Sequence, residues 1–177
     1  MLLSICQVQK GSNIVPYSQL FCYYSNMDIE QKIREYLKGV VHLSLATSKD
    51  NHPWVCEVHF ACDEELNIYF RSKPERRHSI EISQNPCVAG NIVEQHDLNQ
   101  KPRGVYFEGT AEKLIDVDET HPAYIAISQR LGKDPEIIEE ARTEKGHKFY
   151  KISVKKFALF DSRESTPSQK YEMDWDR

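Results

Sequence analysis

The densest run of cations in the chain is Arg71-Ser72-Lys73-Pro74-Glu75-Arg76-Arg77-His78. Basic and hydroxyl side chains beside a helix start form a natural phosphate site, because free amide N–H groups and the helix dipole favour an anion there. Arginine adds a planar fork that can grip two phosphate oxygens at once. Arg76, Arg77 and His78 cannot all face one ligand, since successive helical residues are spread around the axis. A solvated, merely basic helix end stands as the plain alternative.

Other chemistries find little purchase. His42 and His59 fall in strand patterns, and His121 precedes Pro122, where it could simply cap a helix. There is no HExxH and no spaced carboxylate cluster, so the reading is no metal. There is no GxSxG, GxGxxG or GxxxxGK[ST], which argues against a hydrolase elbow, a Rossmann site and a P-loop. The five cysteines, Cys6, Cys22, Cys56, Cys62 and Cys87, form no CxxC pair and are odd in number. They read as free thiols of a reducing, cytoplasmic protein, with Cys56 and Cys87 as small core residues. Net charge is −4 over 177 residues, against a general nucleic-acid partner. No apolar run approaches the roughly 18 residues that span a bilayer, so no membrane partner is expected.

The cationic run is flanked by well-patterned elements. Ile29, Ile33, Tyr36 and Leu37 recur at helical spacing, predicting a helix over about 28–38 behind the N-cap Asp28. The period then becomes two. Strands are predicted at 41–47, 54–61 and 66–72, separated by the turn clusters 48–53 and 62–65. A short helix follows over 75–84, then strands at 87–93 and 105–115, helices near 118–131 and 135–144, and a last strand at 149–160. Six strands in successive hairpins predict an antiparallel sheet, closed into a small barrel so that no edge is left exposed. The fold class is thus mainly β with peripheral helices, with the domain over 27–162. Residues 1–26 do not share its patterning. They read either as an N-terminal extension outside the domain or as an arm packed through Val15, Leu20, Phe21, Tyr23 and Tyr24. Residues 163–177 read as a polar tail with Tyr171 and Trp175 as anchors.

Order and spacing of these segments carry a resemblance. His42-Leu43-Ser44-Leu45-Ala46-Thr47, the turn with Pro53, the strand Trp54 to Ala61 and Ile68-Tyr69-Phe70-Arg71-Ser72 resemble the opening of the pyridoxamine 5′-phosphate oxidase-like, FMN-binding split-barrel family. Arg76-Arg77-His78, Asn85-Pro86-Cys87-Val88-Ala89-Gly90 and Arg103-Gly104-Val105-Tyr106-Phe107-Glu108-Gly109 continue it. The last is similar to the family's Arg-Gln-Val-x-x-x-Gly strand. The resemblance spans about 29–161 and is nearest to the YhbP-like subgroup.

It implies a six-stranded split barrel, a homodimer, and FMN held at the subunit interface. It assigns the phosphate to Ser72, Lys73, Arg77 and His78, and the isoalloxazine ring to Glu57, Val58 and His59. Arg103 is the candidate cation for the flavin N1–O2 edge, or else a surface loop residue beside Pro102. An FMN-dependent oxidoreductase is implied, with hydride transfer as its chemistry. Two departures count against pyridoxamine 5′-phosphate oxidase activity itself. Gly104 replaces a flavin-contacting Gln, and no Arg-Leu-x-Pro closes the chain. The alternatives are a haem-binding or haem-degrading barrel, with His42, His59, His96 or His121 as ligand, a deazaflavin protein, and a non-enzymatic dimeric module.

Overall fold

The computed structural model describes residues 8–10, 13–15, 28–132, 134–163 and 170–175. Expectations for Leu20 to Tyr24, and for Cys6 and Cys22, lie outside the described residues. Strands β1 (Val8–Lys10) and β2 (Asn13–Val15) form a small antiparallel ladder of their own.

The main body begins at helix α1 (Ile29–Gly39). Asp28 accepts from the Gln31 amide at 2.8 Å and Gln31 returns the bond to the Asp28 amide, a capping box that satisfies two otherwise orphaned donors. Ile33, Tyr36 and Leu37 turn to the core. At the other end the Arg130 guanidinium donates to the carbonyls of Leu37, Lys38 and Val40, which the helix itself leaves free.

Strands β3 (His42–Lys49) and β4 (His52–Cys62) are longer than their patterns predict. The expected six-residue turn shrinks to Asp50 and Asn51, both at positive φ. That is the geometry of a two-residue hairpin, and Asp and Asn tolerate it. Strand β5 (Ile68–Ser72), helix α2 (Arg77–Gln84), strand β6 (Cys87–Val93) and strand β7 (Arg103–Lys113) follow. Cys87 is exposed rather than a core residue, because the alternation puts Val88 inward. Helix α3 (Pro122–Leu131) starts four residues later than its pattern predicts. Asp118 folds onto Thr120 as a turn, and His121 supplies the N-cap with Pro122 behind it. Helix α4 (Glu136–Arg142), strand β8 (Lys148–Asp161) and strand β9 (Lys170–Asp174) complete the chain.

The sheet order is β5-β4-β3-β6-β7-β8-β9, all antiparallel, and β5 also pairs with β8. That second pairing closes six strands into a ring, as expected. Strand β8 serves two neighbours along one edge: Lys148–Ile152 pair with β5, and Lys156–Phe160 pair with β9. The barrel splits where β8 leaves one partner for the other. The expected tail is therefore partly a seventh strand, with Trp175 buried after it. Leu43, Leu45, Phe60, Phe70, Ile152 and Phe157 fill the interior. Gly109 sits at a register shift against β8, and a Cβ there would lie 2.3 Å from the Ser153 carbonyl oxygen. That close approach requires glycine. A second apolar layer joins Tyr124 and Ile127 of α3 and Ile138 of α4 to Ala61, Tyr69 and Phe149 on the strands beneath. No helix among the described residues is long and apolar enough to cross a membrane.

Candidate functional site

Helices α3 and α4 stand beside the place where β5 runs into α2. A cleft of about 800 Å³ lies between them, within the usual range for small-molecule sites. One side is β4, from Trp54 to His59. Its end is the cationic run, with Arg71, Ser72, Lys73, Arg76, Arg77 and His78 all lining it. Ile127, Leu131 and Ile137 close the far side, joined by Asp134 and His147.

The cations are not equivalent. Arg77 donates to Glu81 at 2.7 Å and lies 4.4 Å over the Trp54 ring, so its charge is shared and its plane is fixed. Glu81 is buried one helical turn below. Burial alone would raise its carboxyl, but the Thr47 and Arg77 hydrogen bonds and the Arg77 charge leave it below the ordinary value. Lys73 and Arg76 have no carboxylate partner among the described residues. They supply the uncompensated positive charge of the cleft.

Helix α2 opens at the same spot. Its N-cap is Arg76, which gives no side-chain cap. No described residue accepts from the amides of Arg77, His78 and Ser79, the first three of the helix. Ser72, at the end of β5, is buried and lies 2.6 Å from the His78 Nε2. Every group aimed at this neck except Glu57 and Asp134 is a donor or a cation, so the donor set fits a phosphate.

Strand β4 divides the three ring candidates. Val58 packs into the barrel core, while Glu57 and His59 alternate to the solvent face. The Ser44 hydroxyl donates to Glu57, and His59 meets His42 with their Nε2 atoms 2.9 Å apart. Seven of the eight sequence candidates therefore line one cleft. Arg103 does not. Its guanidinium makes a two-pronged ion pair with Glu94, at 2.5 and 2.8 Å, and lies 4.9 Å over the Tyr36 ring.

Cys56 faces the cleft with its Sγ 3.2 Å from His78 Nδ1. Burial pushes the thiol up to about 11, with Glu57 and Glu81 adding to the rise. Burial, then the Arg76 charge, holds the His78 imidazole below its ordinary value against the pull of Glu81. Both groups are neutral near pH 7, so this is not a thiolate–imidazolium nucleophile. Among the described residues no three His, Cys, Asp or Glu side chains come together to hold a metal ion.

Sequence reasoning named Arg77 and passed over Arg76, which also lines the cleft. It also missed His147 and Glu140, which carry no motif, and did not single out Arg71 from the cationic run. The His147 Nδ1–H donates to Glu140 at 2.6 Å, and Arg71 grips the other carboxylate oxygen. The His147 hydrogen bond first, then the Arg71 hydrogen bond and charge, outweigh burial and hold the Glu140 carboxyl down at about 2. A carboxyl depressed in the folded state stabilises above its unfolded value near 4.5 and loses that contribution as pH falls toward 2. Glu140→Gln should thus lower the thermal midpoint at neutral pH, and the gap from wild type should close below about pH 4.5. A gap constant down to pH 2 would remove Glu140 from the acid limb. His121 caps α3, accepting from the Ala123 amide, and His96 lies on the loop after β6; neither lines the cleft.

The sequence model of the pyridoxamine 5′-phosphate oxidase family matches residues 29–161. No curated protein sequence matches the chain. Solved structures share the fold at low identity. ChuZ of Campylobacter jejuni is 13% identical with a TM-score of 0.66, over 98% of this chain and 81% of that one. HutZ, the haem storage protein of Vibrio cholerae, is 20% identical with a TM-score of 0.59, over 72% and 91%. A pyridoxamine 5′-phosphate oxidase-related, FMN-binding protein of Nostoc punctiforme is 13% identical with a TM-score of 0.58, over 84% and 92%. With the split barrel described above and a family match running from α1 to the end of β8, the chain belongs to the pyridoxamine 5′-phosphate oxidase family.

Proposed function

We propose that the chain is an FMN-binding oxidoreductase that works as a homodimer. The observation that carries this reading is the donor-rich, cationic neck of the cleft. Two unpaired cations, a serine hydroxyl and three free helix amides converge there. Ser72, Lys73, Arg76 and the amides of Arg77 to Ser79 would hold the phosphate, with the remaining Arg77 N–H groups beside them. Glu57, Val58 and His59 would border the ring system through the backbone of β4. Bound FMN would supply hydride chemistry; the chain supplies placement and charge. Arg103, committed to Glu94, is left out of the cofactor contacts of its own chain. Val55, Val93 and Tyr106 on strands β4, β6 and β7 are large apolar side chains left in solvent, which favours a second copy as their cover. Light-scattering mass tests this, and a strict monomer overturns it. The unpaired Cys56, Cys62 and Cys87 suit a reducing compartment such as the cytoplasm.

The test is a titration with FMN and with riboflavin, followed by flavin absorbance and fluorescence. FMN should bind at least about a hundredfold more tightly, because riboflavin lacks the group the neck is built for. Equal affinity overturns the phosphate assignment. No binding of either overturns the flavin reading.

One observation favours haem as the second reading. His147 lines the cleft, and its Nδ1–H donation to Glu140 leaves Nε2 as the free acceptor. Carboxylate backing of this kind orients and strengthens an imidazole ligand. Haem titration would then give a Soret band that shifts in His147→Ala. An identical spectrum in the variant removes His147 as ligand.

A further inference from the structure

Cys56, on β4, and Ser72, at the end of β5, meet opposite nitrogens of one buried imidazole, His78 on α2. The distances are 3.2 Å from Cys56 Sγ to Nδ1 and 2.6 Å from Ser72 Oγ to Nε2. Ser72 is 4% exposed and His78 9%, so water does not compete for these bonds. Neither His78 nitrogen is then available to a ligand. We propose that Cys56 and His78 are positioning residues that fix the Ser72 hydroxyl as a hydrogen-bond donor aimed at an anion in the cleft. This rests on the phosphate reading given above.

A neutral imidazole has one donor and one acceptor, so the three groups form a chain with two possible directions. In one, the Cys56 S–H donates to Nδ1, the Nε2–H donates to Ser72 Oγ, and the Ser72 proton is free to point elsewhere. In the other, Ser72 donates to Nε2, Nδ1–H points at sulfur, and the serine offers only lone pairs to the cleft. Lone pairs repel a phosphate oxygen, whereas a hydroxyl proton binds it.

Three facts select the first direction. The thiol stays protonated near pH 7, so an S–H is there to be donated, and sulfur is a weak acceptor in the reverse arrangement. The imidazole is held neutral by burial and by the nearby Arg76 charge. The Ser72 proton has only one alternative acceptor among the described residues, the Lys73 carbonyl at 3.5 Å, which is a poor bond. An anion is the better partner, and the charge around it comes from Lys73 and Arg76.

Imidazole nitrogen chemical shifts of His78, assigned by comparison with His78→Gln, read the direction in the ligand-free protein. The expected signature is protonated Nε2 and unprotonated Nδ1. Cys56→Ala should mix the tautomers and weaken FMN about 3- to 10-fold, the scale of one neutral hydrogen bond. Cys56→Ser keeps a donor and should restore both readouts. In a Ser72→Ala background, Cys56→Ala should have no further effect on affinity. A wild-type Nδ1–H tautomer overturns the proposal, and so does a Cys56→Ala penalty of equal size with and without Ser72. A merely structural role for Cys56 would lower stability without moving the tautomer. The tautomer is measured without ligand, so a protein that ignores FMN overturns the cofactor reading while the serine's direction stands or falls on its own signal.

Discussion

Replacing Lys73 and Arg76 together by alanine should weaken FMN binding by about 3–4 kcal/mol, two to three powers of ten in Kd. Each carries a charge that no described carboxylate neutralises, and each lines the neck of the cleft. A charge-assisted hydrogen bond to phosphate contributes about 1.5–3 kcal/mol, and two at one ligand do not add fully. Lys73 is half-buried and Arg76 exposed, so the fold should survive. The thermal midpoint of the unliganded protein checks that. The single variant Arg77→Ala should cost less in affinity, because Arg77 already shares its charge with Glu81. It should cost more in stability, because Glu81 is buried and would lose a partner. Calorimetric titration decides between the two. If Arg77→Ala exceeds the double variant, the phosphate sits on the other side of α2. If neither changes affinity, the cationic run is only a solvated helix end.

Trp175→Ala should destabilise the protein by about 3 kcal/mol, the low end for removing a large buried aromatic. Trp175 follows β9, yet it is only 7% exposed. Its ring meets Phe157 edge-on at 5.9 Å, and the Arg34 guanidinium lies 5.7 Å over it. Its indole N–H donates to the Glu65 carbonyl at 2.9 Å and its amide to the Lys155 carbonyl at 2.6 Å. The side chain thus ties α1, the turn before β5 and the open half of β8 together. Trp175→Phe keeps the edge-on packing and loses the indole bond, so it should cost about 1 kcal/mol. Urea unfolding should show a lower midpoint with an unchanged slope. A loss under about 1 kcal/mol in the alanine variant would mean that β9 is not part of the cooperative unit.

Local pattern carried much of this molecule. The alternation along Val41 to Thr47 and Cys87 to Val93 marks strands, because one side of a half-buried sheet must be apolar. Asp28 before the Ile29, Ile33 and Leu37 stripe marks a helix start, and the structure puts the capping box there. The run Arg71 to His78 was legible as a candidate anion site because its residues lie within one strand end and one helix turn. Adjacent groups in sequence stay adjacent in space.

Other features depend on distant segments and left no trace in any window. Strand β9 is short and polar, and it is a strand only because the second half of β8 has an open edge. Arg77 has Glu81 four residues on, a local pair, but only the fold sets Trp54 beneath its guanidinium. Arg103 reads as a flavin cation from its neighbours in sequence, but Glu94 across the loop claims it. His147 and Glu140 become a pair only when α4 packs beside β8. The residue types and short-range periods of this chain determined the six strands of its barrel, its first helix and its cationic run. The packing of α2 against β4 set Trp54 beneath the Arg77 guanidinium and brought Cys56 to an imidazole 22 positions away. Such contacts follow from long-range strand pairing, whose register is set by the whole core.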